Sequence, residues 1–122
     1  LLNERKKCMN GSKVLLIGIA YKGDIDDVRE SPALKVLENL ERNLADVIVV
    51  DPYVEKFNYR GRERKTEKLT KELCNWADIT IITTAHKKRV DYNMIVENSQ
   101  LIFDTKNVLK SFGIKNEKVA VL

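Results

Sequence analysis

The chain has 122 residues, of which 43% are hydrophobic and 33% are charged, and its net charge is +4. This length predicts one globular domain with a single core, and the composition excludes a fibrous or disordered protein. No apolar run approaches the ~18 residues of a membrane-spanning helix, and the basic segments 60–71 and 86–89 lack the stacking aromatic residues of a nucleic-acid surface.

The first residues, LLNERKKCMNGSK, resemble the end of a helix that enters from an upstream segment. They lack the apolar core and cleavage site of a signal peptide, so we expect a cytoplasmic protein with no membrane contact. Cys8 and Cys74 are too few and too far apart for a disulfide framework or a zinc site, and we interpret both as free thiols in or near the core.

Short apolar segments rich in Val and Ile alternate with helical patterns along the rest of the chain. Strands are predicted over residues 13–19, 46–50, 78–83, 101–104 and 118–122. Strands that alternate with helices favour right-handed crossovers between parallel strands. The fold class is therefore predicted as α/β: a small doubly wound, mostly parallel sheet with helices on both faces, similar to Rossmann folds.

Helices are predicted between these strands. The first begins at Ser31-Pro32, with Ser as the cap, and ends near Asn43; its apolar stripe consists of Leu34, Leu37, Leu40 and Leu44. A short helix over 71–76 follows Thr70 as its cap, with Trp76 packing into the core, and a weak helix covers 91–97. Residues 55–65 are polar and are predicted to be irregular.

Ligands of doubly wound sheets bind beyond the carboxyl ends of the strands. Polar side chains follow all four of the first strands in this sequence: Tyr21, Lys22, Asp51, Thr83, Thr84, His86, Thr105, Lys106 and Asn107. Several basic groups and the helix start near Ser31 are therefore expected at one edge. This arrangement favours an anionic ligand such as a phosphate or diphosphate.

The segment GIAYKGDIDDVRESP at 18–32 allows a dinucleotide-binding turn as one hypothesis. Gly18-x-Ala20-x-x-Gly23 follows a strand, and Asp51 ends the next strand, where a ribose-binding acid lies in such folds. However, the helix starts only at Ser31-Pro32, and the methyl group of Ala20 replaces the middle glycine. Ordinary NAD binding by this turn is the disfavoured alternative.

A Mg²⁺ or Ca²⁺ site is a second hypothesis for the same segment, because it contains four acidic residues: Asp24, Asp26, Asp27 and Glu30. Their spacing lacks the alternation of a calcium loop, and Lys22 and Arg29 supply opposing charge. We predict no metal and interpret the aspartates as local partners of those cations. For His86, the single histidine, a structural hydrogen bond is favoured over acid–base catalysis.

Longer segments of the chain resemble the C-terminal domain of the UDP-glucose/GDP-mannose dehydrogenase family, in this order: VLLIGIAYKGDIDDVRESPALKVLENL, VIVVDPYV, ADITIITTAH and LIFDTKNVL. The resemblance runs from about Leu2 to the end, and its specific element is Lys-x-x-x-x-Asp-x-Arg-Glu-Ser-Pro. The AYKGDIDDVRESPA loop and DPYV are most similar to the branch that oxidises UDP-N-acetylhexosamines such as UDP-N-acetyl-D-mannosamine.

The resemblance implies an NAD-dependent enzyme that oxidises C6 of a UDP-sugar to a carboxylate. An N-terminal domain would bind NAD, and a middle domain would supply the catalytic cysteine and the contacts of a homodimer or larger oligomer. Residues 1–12 would leave that middle domain, and residues 13–122 would form the UDP-sugar-binding domain. Neither Cys8 nor Cys74 matches the catalytic cysteine, so this chain alone is expected to be inactive.

Three residues match functional positions of the family, and a fourth stands at such a position with a different residue type. Tyr21 and Lys22 match an aromatic-lysine pair that contacts the nucleotide sugar, and Arg29 matches the arginine that reaches the NAD pyrophosphate. Lys106 stands where the family commonly has a substrate-binding arginine, which keeps the charge but loses the bidentate fork. A non-enzymatic α/β module that binds a nucleotide or another protein is the alternative hypothesis.

Overall fold

The computed structural model describes residues 11–24, 28–29 and 31–121. Their main sheet contains β1 (Lys13–Ile17), β2 (Asp46–Val50), β5 (Ile79–Ile82), β6 (Ile102–Asp104) and β7 (Val119–Val121); β3 (Lys56–Tyr59) and β4 (Arg62–Lys65) form a separate hairpin. The helices are α1 (Pro32–Arg42), α2 (Lys71–Trp76), α3 (Tyr92–Asn98) and α4 (Val108–Ser111). In the described part of the chain, no helix is long and apolar enough to cross a membrane.

The main sheet has the strand order β2-β1-β5-β6-β7, and all of its neighbouring strands are parallel. The chain moves from β1 to β2 in one direction and then returns past β1 to β5. The order therefore reverses between β1 and β5, which is the position where doubly wound sheets open a ligand crevice. The doubly wound, Rossmann-like α/β prediction is confirmed.

Helices cover both faces of the sheet because its central strands are apolar on both sides. In β1, Val14 and Leu16 belong to one core, whereas Leu15 and Ile17 belong to the other. The first core is covered by α1, and the second by residues of the other three helices, among them Cys74, Tyr92, Ile95 and Leu109. The prediction of a buried free thiol is confirmed for Cys74, while Cys8 lies outside the described residues.

The first helix begins as predicted, but it ends at Arg42 and does not include Leu44. The hydroxyl of Ser31 accepts a hydrogen bond from the Ala33 N–H at 3.2 Å, and Asn43 is the C-terminal cap. Leu44 is 64% exposed and has φ 66°. Its assignment to the apolar stripe is therefore wrong, because the backbone has already turned left-handed to leave the helix.

The prediction of an irregular segment at 55–65 is also wrong. Residues of β3 and β4 pair in antiparallel register, and the turn between them consists of Arg60 and Gly61, with φ of 53° and 79°. Two positive φ values define the tight turn that matches the twist of a hairpin. Arg-Gly stands where Asn-Gly is the usual signal, and this hid the hairpin. The short helix α4 was likewise not predicted.

Candidate functional site

Polar loops meet at the carboxyl edge of the sheet, as the sequence predicts. The loop after β1 (residues 18–24) lies between the turn after β2 (residues 51–53) and the loop after β5 (residues 83–89), and it is hydrogen-bonded to both. The turn after β6 (residues 105–107) lies at the same edge, two strands from β1. At ordinary strand spacing this separation is about 10 Å.

Two glycines let the loop after β1 pack directly on the loop after β5. Gly18 has φ 99°, and a Cβ at this position would lie 2.3 Å from the Cβ of Thr84. A Cβ on Gly23 would lie 2.1 Å from the carbonyl oxygen of Ala85. The glycines thus make room for the protein's own residues rather than for a pyrophosphate, and the turn is no cradle for a dinucleotide.

Asp51 is buried, and protein groups occupy its carboxylate. Its Oδ2 accepts hydrogen bonds from the N–H groups of Ile19 at 2.8 Å and Ala20 at 3.0 Å, and its Oδ1 accepts one from the Tyr53 N–H at 2.9 Å. Burial raises the pKa of this carboxyl, but hydrogen bonds from His86 and the backbone outweigh burial and lower the pKa. Asp51 therefore anchors the loop after β1 and is not available to a ribose.

His86 is buried between two of these loops. Its Nδ1 accepts a hydrogen bond from the Asp24 N–H at 2.8 Å, so the ring proton lies on Nε2, which donates to Asp51 Oδ2 at 2.9 Å. The imidazole stacks on Tyr53 with ring centroids 4.7 Å apart, and the His86 carbonyl accepts from the Tyr92 hydroxyl. The prediction of a structural hydrogen bond for His86 is confirmed.

Asp24 closes the other end of the loop, with φ 61°. Its Oδ1 accepts hydrogen bonds of 3.0 Å from the Tyr53 hydroxyl and from the N–H groups of Lys87 and Lys88. The bond from the Lys88 N–H is the main cause that lowers the pKa of Asp24. The donors of these bonds are a hydroxyl and two backbone N–H groups, not the ammonium group of a lysine. The partners described for Asp24 thus do not include the predicted Lys22 side chain, while Asp26, Asp27 and Glu30 lie outside the described residues.

Tyr21 and Lys22 project from the loop that these anchors hold. Tyr21 is 51% exposed, and Lys22 is exposed and forms no ion pair with another described residue. Arg29 is exposed two residues before the cap of α1. Tyr21 and Lys22 are therefore exposed neighbours on one loop, and Arg29 lies seven residues after Lys22 in the sequence, before α1.

Lys106 lies on a turn that a second buried carboxylate holds. Asp104 Oδ1 accepts a hydrogen bond from the Lys106 N–H at 3.1 Å, and Oδ2 accepts one from the Leu109 N–H at 2.8 Å. The Lys106 side chain is exposed, and Asn107 beside it has φ 57°. Lys106 therefore lies at the predicted edge, but on a different support from Lys22.

Sequence reasoning missed the contact between Asp51 and His86. The available signal was their position, because each follows a strand that flanks β1 in a doubly wound sheet. It also missed Tyr53, which contacts both Asp24 and His86. The contacts of His86 with Asp51 and of Tyr53 with Asp24 join residues that are 35 and 29 positions apart, so no spacing pattern linked them.

The edge is suited to binding rather than to covalent catalysis. It presents a tyrosine and lysines to solvent from loops with anchored backbones, which suits an anionic ligand that bears an apolar or ring-shaped part. Burial raises the pKa of the Cys74 thiol, so this cysteine is a poor nucleophile. Among residues 11–24, 28–29 and 31–121, no group of three or more His, Cys, Asp and Glu side chains is arranged to hold a metal ion.

The chain matches known proteins over most of its length. Residues 15–111 match the family model described as UDP-glucose/GDP-mannose dehydrogenase family, UDP binding domain. A UDP-N-acetyl-D-mannosamine dehydrogenase of Pyrococcus horikoshii is 35% identical over 101 residues, which are 80% of this chain and 22% of that protein.

Two solved structures share the fold over almost the whole chain. The UDP-N-acetyl-mannosamine dehydrogenase of Staphylococcus aureus matches with a TM-score of 0.69 and 30% identity, over 98% of this chain and 28% of that one. An NDP-N-acetyl-D-galactosaminuronic acid dehydrogenase of Methanosarcina mazei matches with a TM-score of 0.72 and 25% identity, over 99% of this chain and 26% of that one. The chain therefore spans about a quarter of the length of these relatives.

Proposed function

Because the chain belongs to the UDP-glucose/GDP-mannose dehydrogenase family and matches its UDP binding domain, we propose that it is the substrate-binding part of an NAD-dependent UDP-sugar 6-dehydrogenase. The enzyme would oxidise the C6 alcohol of a UDP-N-acetylhexosamine to a carboxylate. The names of the relatives favour UDP-N-acetyl-D-mannosamine as that substrate.

The observation that carries this proposal is the exposed Tyr21-Lys22 pair. It lies on an anchored loop beside the position where the strand order of the sheet reverses, between β1 and β5. A lysine ammonium in this position suits a phosphate of the nucleotide sugar, and the tyrosine ring beside it offers an apolar face. Lys106, at the same edge, would contribute a second charge to the substrate. A diphosphate is long enough to receive more than one such cation.

NAD would be held mainly by residues upstream of this chain. The glycine turn after β1 does not fit the cofactor, because Thr84 and Ala85 fill the space beside it and Asp51 is bonded to the protein. We assign Arg29 a single contact to the pyrophosphate of NAD across the cleft between domains. The bound cofactor would accept hydride from C6, while this domain positions the sugar nucleotide.

The remaining parts of the proposal concern the whole enzyme. Residues 13–122 would form the UDP-sugar-binding domain, residues 1–12 would connect it to a middle domain, and the full-length enzyme would be a homodimer or larger oligomer. A cytoplasmic location is part of the same proposal, and the free thiol of Cys74 agrees with a reducing compartment.

Titration of UDP into the full-length enzyme tests the substrate assignment. Lys22→Ala is expected to weaken UDP binding by about tenfold or more, because it removes a charge-assisted hydrogen bond to phosphate. Lys13→Ala is the matched control: Lys13 is exposed at the opposite end of β1, so its loss leaves UDP affinity unchanged. Arg29→Ala, by contrast, is expected to raise KM for NAD and leave UDP affinity unchanged.

Two outcomes would overturn the proposal. One is the absence of UDP binding by the wild-type enzyme, which would favour the non-enzymatic binding module. The other is an equal effect of Lys22→Ala and Lys13→Ala on UDP affinity, which would reduce the role of Lys22 to its contribution to net charge.

A further inference from the structure

We propose that His86, together with Asp51, is a positioning residue for substrate binding, although neither residue is exposed to a ligand. His86 would set the affinity for the UDP-sugar by holding both ends of the loop that carries Tyr21 and Lys22. This inference rests on the proposed function, because it concerns the same binding edge.

The upstream end of the loop is held through Asp51. The N–H groups of Ile19 and Ala20, directly before Tyr21, both donate to Asp51 Oδ2. The same oxygen accepts the Nε2–H of His86 at 2.9 Å. All of these groups are buried, so water does not replace a lost bond without rearrangement.

The downstream end is held by the other nitrogen of the same ring. The N–H of Asp24, two residues after Lys22, donates to His86 Nδ1 at 2.8 Å. The Asp24 carboxylate also accepts hydrogen bonds from the N–H groups of Lys87 and Lys88, which directly follow His86 in the chain. Tyr21, Lys22 and Gly23 therefore form a three-residue bridge between two fixed points, and Tyr21 and Lys22 face solvent.

His86 connects these two points to each other. Its Nε2 reaches the upstream anchor through Asp51, and its Nδ1 reaches the downstream anchor directly, so one rigid ring sets the distance between the ends of the bridge. The ring cannot drift, because it is buried and stacked on Tyr53, whose hydroxyl also bonds to Asp24. A rigid bridge lowers the ordering cost that a flexible lysine loop would add to ligand binding.

Three substitutions separate the two bonds of the ring. His86→Ala removes both. His86→Asn places an amide oxygen near the position of Nδ1, so the Asp24 N–H keeps an acceptor. His86→Gln places an amide NH₂ near the position of Nε2, so Asp51 keeps its donor. Ser99→Ala is the matched control, because it removes a buried 3.1 Å side-chain hydrogen bond between Thr80 in β5 and Ser99 at the end of α3.

UDP titration and steady-state kinetics of the full-length enzyme test the proposal. His86→Ala is expected to raise the Kd for UDP and the KM for the UDP-sugar by about tenfold while kcat changes by less than about twofold. His86→Asn and His86→Gln should each recover part of the affinity, whereas Ser99→Ala should lower the melting temperature without changing Kd. If UDP affinity follows the melting temperature in all four variants, or stays at the wild-type value in folded His86→Asn and His86→Gln, the proposal is wrong.

A spectroscopic measurement checks the assignment of the ring proton independently of activity. The chain contains one histidine, and its ¹⁵N imidazole signals in the full-length enzyme are identified by their loss in His86→Asn. The proposal requires a protonated Nε2 and an unprotonated, hydrogen-bonded Nδ1; the opposite tautomer overturns it. Failure of the wild-type enzyme to bind UDP would instead refute the proposed function, so the two failures are distinguishable.

Discussion

Two lysine-bearing segments at the same edge of the sheet are held by buried carboxylates in different ways. Asp104 bonds to N–H groups two and five residues later in its own turn, which carries Lys106. Asp51 bonds to N–H groups 31 and 32 residues earlier, before Lys22, and to a histidine 35 residues later. The first support is local, whereas the second ties together the loops that follow three strands.

This difference predicts how many loops are disturbed when each carboxylate is removed. Loss of Asp104 releases one turn, and the strands beside it keep their own bonds. Loss of Asp51 removes the common acceptor of the loop after β1 and the only described partner of His86 Nε2. Substitution of Asp51 should therefore disturb all of the loops around Lys22, whereas substitution of Asp104 should disturb only the turn that carries Lys106.

The largest expected effect is that of Asp51→Ala on the free energy of unfolding. It leaves three backbone N–H groups and the His86 Nε2–H without their acceptor, and we expect a loss of about 3–5 kcal/mol. Asp104→Ala deprives two N–H groups and should cost about 1–3 kcal/mol. Urea unfolding of both variants measures the difference, and equal losses would show that the long-range support is no stronger than the local one.

Acidic pH should lower the free energy of unfolding through the carboxyl groups of Asp51 and Asp24. Hydrogen bonds lower the pKa of Asp51 and Asp24 in the folded protein below the ordinary value of 3.8. A carboxyl whose pKa is lowered by folding contributes its full stability above the unfolded-state pKa, and this contribution is lost as the pH falls through the lower, folded-state pKa. The free energy of unfolding should therefore decrease from about pH 4 downward.

The control for this pH dependence is Asp51→Asn, which has no carboxyl to titrate at this position. Its stability should be lower than that of the wild type near neutral pH and should fall less steeply below about pH 4. The free energy of unfolding of both proteins is measured by urea unfolding at a series of pH values. An equal decrease in the two proteins below about pH 4 would contradict the assignment of this pH dependence to the Asp51 carboxyl.

The smallest effect is expected in the β3–β4 hairpin, where charges meet in solvent. Lys56 Nζ lies 3.3 Å from Glu63 Oε1, and the two side chains are 59% and 54% exposed. Lys56→Ala should change the free energy of unfolding by less than about 0.5 kcal/mol. Arg64→Ala is the contrasting variant, because Arg64 bonds to both Glu41 and the Val47 carbonyl, and it should cost about 1 kcal/mol. If thermal unfolding shows equal losses of stability for Lys56→Ala and Arg64→Ala, the contacts of Arg64 contribute no more than the exposed ion pair of Lys56.

Much of the fold was predictable because its signals are local. Ser31 and Thr70 cap helices at the predicted positions, and the apolar segments became strands within one or two residues at each end. The first strand is shorter than predicted because the N–H groups of Ile19 and Ala20 leave the ladder for the Asp51 side chain. The hairpin was missed because Arg60-Gly61 forms a turn that other residue pairs signal more strongly.

Local patterns along the chain predicted the fold class and the edge of the sheet at which a ligand is expected. Periodicity, caps and strand ends depend on neighbouring residues, and they can be read along the chain. The groups that support this edge are visible only in the folded structure, because the strand order brings Asp51, His86 and Asp24 together from three separate segments. The partners of a buried polar group depend on which loops are adjacent in space, and no spacing in sequence records that adjacency.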